Sequence, residues 1–114
     1  MKHILDNALM SLTGSGFAIY GDVTNSSQYE SGVVFKDPSV KPSWEAVEAQ
    51  KIVEAWNYVR VERNKRIAKS DWTQLGDVTM SGELLANWQS YRQSLRDVPT
   101  QSDPFNITWP TPPA

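Results

Sequence analysis

Residues 70–110 read SDWTQLGDVTMSGELLANWQSYRQSLRDVPTQSDPFNITWP. Three kinds of segment follow one another in this stretch. Residues 70–81 mix Ser, Asp, Thr and Gly around Trp72 and read as a loop. Ser81 is a good helix N-cap, and after it Leu85, Trp88, Tyr91 or Arg92, and Leu95 recur at helical spacing. That spacing predicts a helix over Gly82–Asp97, ended by Pro99. The remainder, DPFNITWPTPPA, has four prolines in twelve residues, so it runs extended or as polyproline II.

Working outward toward the N-terminus, nothing breaks a helix between Trp44 and Lys69. Trp44, Val47, Ile52, Ala55, Trp56, Val59 and Ile67 fall mostly three and four apart, the signature of one long amphipathic helix. At 1.5 Å per residue it would be roughly 39 Å long, long enough for part of it to protrude or to meet a partner. Glu45, Glu48 and Glu54 lie in its first half and Arg60, Arg63, Lys65, Arg66 and Lys69 toward its end, the order that suits the helix dipole. Ser43 is its N-cap candidate. The two helices, joined by a loop of about twelve residues, predict an antiparallel helical hairpin. Arg92 or Arg96 is expected to tie Asp71 or Asp77 of the loop to the second helix.

Residues 1–35 lean toward β-structure. GFAIYGDV (16–23) and SGVVF (31–35) are strand candidates, and Asp22–Ser27 carries turn-forming residues between them. KDPSVKPS (36–43) is a proline-punctuated linker. The expected architecture is therefore α+β: a short N-terminal β-hairpin, then the helical hairpin, then the extended proline-rich tail. The expected division is 1–43 for the β-leaning segment and linker and 44–114 for the helical hairpin with its tail.

Several function classes fall away on composition. The chain carries a net charge of −2, which argues against general nucleic-acid binding. It has no Cys, hence no disulfide or thiol chemistry. No run approaches the ~20 apolar residues that span a bilayer. Asp6 and Asn7 interrupt the apolar character of MKHILDNALMSL, so it is not expected to act as an export signal.

Catalytic chemistry lacks its parts. The single His, His3, has no partners at metal-ligand or nucleophile spacing. Gly14 and Gly16 do not build a phosphate loop, and the carboxylates sit on polar helix faces. No catalytic, metal or cofactor residue is expected. The basic run 60–69 reads as a solvated helix end that would prefer an acidic protein surface over a nucleic acid. Trp72, Trp88 and Tyr91 read either as core or as contact surface, and Trp109 as a brace or as an anchor in a partner groove.

The motifs R-x-x-R-N-K-R-I (60–67), S-D-W-T-Q-L (70–75), Asp77-Val78, W-Q-S-Y-R-Q-S-L-R-D-V-P (88–99) and N-I-T-W-P (106–110) together resemble the phage tail assembly chaperone family. Gly76 stands where that family commonly has proline, and DPF (103–105) replaces a more usual Gly-Phe-Pro. The resemblance implies a non-enzymatic helper of tail or tail-fibre assembly, acting in the host cytoplasm by masking apolar surface of a tail-fibre or baseplate protein. A structural subunit retained in the virion tail is the other reading that stays open, as does homo-oligomerisation; neither a membrane nor nucleic acid is an expected partner. The residues expected to touch the partner are Trp72, Trp88, Tyr91, Arg92, Phe105, Trp109 and Pro110, with residues 1–35 adding strand edges.

Overall fold

The computed structural model describes residues 4–113. His3 and the first residues of the N-terminal segment lie outside them. Contacts divide the chain into two compact units, Met1–Glu54 and Ala55–Ala114.

The first unit opens with α1 (Ile4–Thr13) rather than a strand. Leu5, Ala8, Leu9 and Leu12 repeat at helical spacing, and Ala8 and Leu9 are fully buried. Gly14, at φ +62°, supplies the left-handed residue that stops the helix, its N–H donating to Met10 O at 2.8 Å.

Two short strands follow, β1 (Phe17–Ile19) and β2 (Val33–Phe35), paired antiparallel with Phe17 opposite Phe35 and Ile19 opposite Val33. The expected antiparallel pair is present, but a turn does not join its strands. Between them lies α2 (Ser26–Gly32), where the sequence suggests a turn. Asn and Ser serve equally in turns and at helix N-caps. Here Asn25 Oδ1 accepts from the N–H of Gln28 at 2.9 Å, and Gln28 Oε1 accepts in return from Thr24 N and Thr24 Oγ1 at 2.7 and 2.8 Å. This reciprocal arrangement is close to a capping box, and the Asn-x-x-Gln spacing is its sequence signal.

α2 ends at Gly32, and the strand pair begins at once. Tyr20 N donates to Gly32 O at 2.7 Å, and a Cβ on Gly32 would sit 2.6 Å from Tyr20 O. The inner face of the pair joins Leu9, Tyr29 and Val47 in a core flanked by Leu5, Val23 and Trp44, while Val34 points to solvent. Phe17 tilts against Phe35 at 5.4 Å, and Tyr29 against Trp44 at 5.2 Å. The Tyr29 hydroxyl donates to Pro42 O at 2.6 Å. Burial first, and the neighbouring Glu30 charge second, push its pKa up. Lys41 donates to Val33 O at 2.7 Å and lies 4.8 Å from the Tyr29 ring centre.

α3 (Trp44–Lys69) spans the residues the periodicity predicts. Ser43 Oγ accepts from Ala46 N at 3.2 Å, the expected cap. Its first part belongs to the first unit, where Glu54 accepts from Ser11 Oγ at 2.7 Å and Gln50 Nε2 at 3.0 Å. Those bonds hold the Glu54 carboxyl below its ordinary pKa.

The second unit holds the rest of α3, a 3₁₀ turn at Asp71–Gln74, α4 (Gly82–Asp97), a second 3₁₀ turn at Val98–Thr100 and the tail. Ser81 Oγ caps α4 by accepting from Leu84 N at 3.1 Å. Ala55, Val59, Leu95 and Val98 are buried here. Residues 107–113 have no regular secondary structure.

Candidate functional site

The last turn of α3 leaves backbone carbonyls without helical partners. Ile67 O is satisfied three times over: by Ser70 N at 2.9 Å, Ser70 Oγ at 2.7 Å and Arg92 Nη1 at 3.2 Å. The same Arg92 nitrogen reaches Ser70 Oγ at 2.7 Å and Asp71 Oδ1 at 2.9 Å. It carries two hydrogens and faces three oxygens, so one hydrogen is shared. Thr73 Oγ1 donates to Ser70 O at 2.6 Å and closes the turn. Ser70 and Thr73 are each only 2% exposed, so this is a small buried polar knot. The expected pairing of Arg92 with Asp71 is present. The part played by Ser70 and Thr73 was not foreseen, although Ser-x-x-Thr after a helix end is a local hydrogen-bonding signal.

The knot sets the 3₁₀ turn in place, and the turn presents Trp72. Its ring meets Trp88 edge to face at 5.6 Å and 66°, and Trp88 meets Tyr91 at 5.7 Å and 83°. Three of the expected contact residues thus form one aromatic ladder from loop to α4. Both contacts have the edge-to-face geometry that the ring quadrupoles favour. Trp72 nevertheless remains 50% exposed. Leu75, the extended residue that ends the turn with its N–H on Trp72 O at 3.3 Å, is 58% exposed. Leu75 was not singled out from sequence, because one Leu in a loop carries no pattern.

The tail lies within the same unit. Gln101 grips it with its side-chain amide, accepting from Thr108 N at 3.0 Å and donating to Thr108 O at 2.9 Å. This mimics one rung of a β-ladder. Arg66, paired with Glu62 at 3.1 Å, lies 4.2 Å from the centre of the Trp109 ring. Pro110 borders a groove of about 520 Å³ whose other walls include Leu84, Tyr91 and Ser94 of α4. Asp103 Oδ1 accepts from Phe105 N at 2.9 Å, a turn that buries Pro104 and leaves Phe105 48% exposed.

Around the ladder and the tail, Trp72, Leu75 and Phe105 stand about half in solvent. Among the described residues no cluster of His, Asp and Glu could hold a metal. The carboxyls held at low pKa, Asp37 and Glu54, are each fixed by a serine hydroxyl at an exposed position, far in sequence from the ladder. Among the described residues no helix is long and apolar enough to cross a membrane.

Residues 56–114 match the model of a family described as phage tail assembly chaperone protein. The chain belongs to that family. The matched segment of the chaperone family contains the polar knot, the aromatic ladder and the clamped tail. The strands and α2 lie before it. Among solved structures, the solution structure of protein CV0426 from Chromobacterium violaceum is similar, with 30% identity over 73% of this chain and 90% of that one, and a TM-score of 0.47. No curated protein matches the chain.

Proposed function

We propose that this chaperone binds an apolar region of a tail-fibre or baseplate protein in the host cytoplasm and masks it until assembly, without turnover. The observation that carries the reading is Trp72: a large aromatic half in solvent, yet fixed by Trp88 beneath it and by the Arg92 knot beside it. A pre-positioned Trp loses little freedom on binding, and aromatic anchors of this kind dominate protein interfaces. In this reading Trp72, Trp88, Tyr91 and Phe105 meet the client together with Leu75. Arg92 holds the loop, and Trp109 with Pro110 holds the tail that presents Phe105. α4, tied to the end of α3 through Arg92, is the frame. Strand edges and tail surfaces of unassembled fibre chains are the client chemistry that needs cover.

The test is co-purification of the full-length chain with its neighbouring tail proteins. Trp72→Ala should weaken capture by about thirtyfold, the ~2 kcal/mol of an interface hot spot, and leave the thermal midpoint nearly unchanged. Unchanged capture would overturn the assignment of the ladder. Mass spectrometry of purified particles should find the chain absent from particles and present in the lysate; a fixed copy number per particle would overturn release.

A further inference from the structure

Residues 101–108 form a loop closed at its neck by one side chain. Gln101 Oε1 accepts from Thr108 N at 3.0 Å, and Gln101 Nε2 donates to Thr108 O at 2.9 Å. A side-chain amide carries an acceptor and a donor side by side, which is what the N–H and C=O of a single residue call for. Gln101 is itself seated on the end of α4. The 3₁₀ turn at Val98–Thr100 follows that helix at once, Thr100 Oγ1 donates to Asp97 O at 2.6 Å, and Gln101 N donates to Val98 O at 3.1 Å. The clamp therefore ties the far side of the loop to a helix end.

Inside the neck lies a smaller turn. Asp103 Oδ1 accepts from Phe105 N at 2.9 Å, and Asp103 O accepts from Asn106 N at 3.3 Å. Pro104 is buried, and the next residue, Phe105, is 48% exposed. The two bonds of the turn span only two and three residues, so they orient Phe105 relative to Asp103 and no farther. The relation of that turn to α4 is set by Pro104 beneath it and by Gln101 across the neck.

We propose that Gln101 is a positioning residue for client capture, acting through Phe105 without touching the client. The proposal rests on the reading of Phe105 as a client contact and names the group that pre-sets it. An anchor held in place before contact gives up less freedom on binding than one on an open loop. The role needs both halves of the amide. A carboxylate at this position would accept from Thr108 N but would set its other oxygen against Thr108 O; once protonated, it would donate there again.

Capture of the neighbouring tail proteins by the full-length chain, together with amide hydrogen exchange on the free chain, tests the proposal. Gln101→Ala should open Thr108 N–H to exchange, leave the α4 amides protected and keep the melting temperature nearly unchanged. It should weaken capture about tenfold, as should Phe105→Ala, and the double variant should capture no worse than either alone, because one residue acts through the other. Gln101→Glu should match Gln101→Ala at neutral pH. As the introduced carboxyl protonates, exchange at Thr108 should slow relative to Gln101→Ala at the same pH. Unchanged capture by Gln101→Ala, with capture lost in Phe105→Ala, would overturn the proposal and leave the reading of Phe105 intact. Unchanged capture by Phe105→Ala would overturn that reading and the proposal with it. A double variant weakened by the product of the two single losses would mean that Gln101 meets the client itself. A lowered melting temperature in Gln101→Ala, or no recovery of Gln101→Glu in acid, would reduce Gln101 to a part of the fold. Each of these last three results would also overturn the proposal.

Discussion

The Arg92 side chain brings one positive charge to three oxygens while only 12% of it remains exposed. Removing it would leave the Ser70 hydroxyl without its donor and take the charged one of three donors from the Ile67 carbonyl, so Arg92→Ala should destabilise the chain by about 2–3 kcal/mol, the range for bonds to a charged group. Asp71 is 62% exposed, and Asp71→Ala should cost less than about 1 kcal/mol. Chemical denaturation of the two variants checks the asymmetry; equal losses would mean that the ion pair, not the carbonyl contact, holds the loop. At Glu54 the prediction concerns pH. Its folded pKa lies below the ordinary 4.5, because Ser11 and then Gln50 donate to the ionised form. The bonds therefore stabilise fully above the ordinary value, and their contribution is lost as pH falls through the folded pKa. Ser11→Ala should bring the Glu54 pKa back toward 4.5, read by carboxyl NMR titration, and its stability deficit should vanish in acid.

At the scale of elements, α3 and α4 were legible because each combines a serine cap, an apolar repeat and a clean stop. The N-terminal third was legible only in part. Val33, Val34 and Phe35 do form a strand, but residues 4–13 and 26–32 are helices. The Leu5, Ala8, Leu9, Leu12 repeat is short and lies beside the stronger strand formers of β1, and Asn25 suits a turn as well as a cap until the Gln28 three residues on is counted with it. The aromatic ladder could be anticipated from Trp88 and Tyr91. The Gln101 clamp could not, since an isolated glutamine has no pattern. Gly32 is where α2 meets the strand pair most tightly. Gly32→Ala would drive a methyl onto the Tyr20 backbone oxygen, which cannot rotate away, and should cost about 1–3 kcal/mol. Gly76→Ala, with open space around it, should be nearly silent in the same melting experiment.

At the scale of the whole molecule, two cores made of different residues share one chain. Leu9, Tyr29, Val33, Phe35 and Val47 form one; Ala55, Val59, Leu95 and Val98 are buried in the other unit. Leu9→Ala and Leu95→Ala should each cost about 2–5 kcal/mol, as deletions from packed sites do. Hydrogen exchange on the intact protein should place the first loss chiefly in α1, α2 and the strands, and the second chiefly in α4 and the later turns of α3. Uniform loss across both units from either substitution would show that they open as one.

The edge-to-face contact of Trp72 with Trp88 has an optical consequence. At 5.6 Å the two indoles are near enough for their transitions to couple, and with ring planes inclined at 66° they are neither stacked nor coplanar, so the coupling is a handed one. The protein should show an exciton couplet in its far-ultraviolet circular dichroism, superposed on the helical bands. Trp72→Phe should remove the couplet while the helices persist, so helix content computed from the wild-type ellipticity would be in error by the same amount. The couplet depends on a ring that is half in solvent. Anything that lifts Trp72 off Trp88, a bound client included, would be read directly as a change in its amplitude, without a label and in a chain that has no cysteine to carry one.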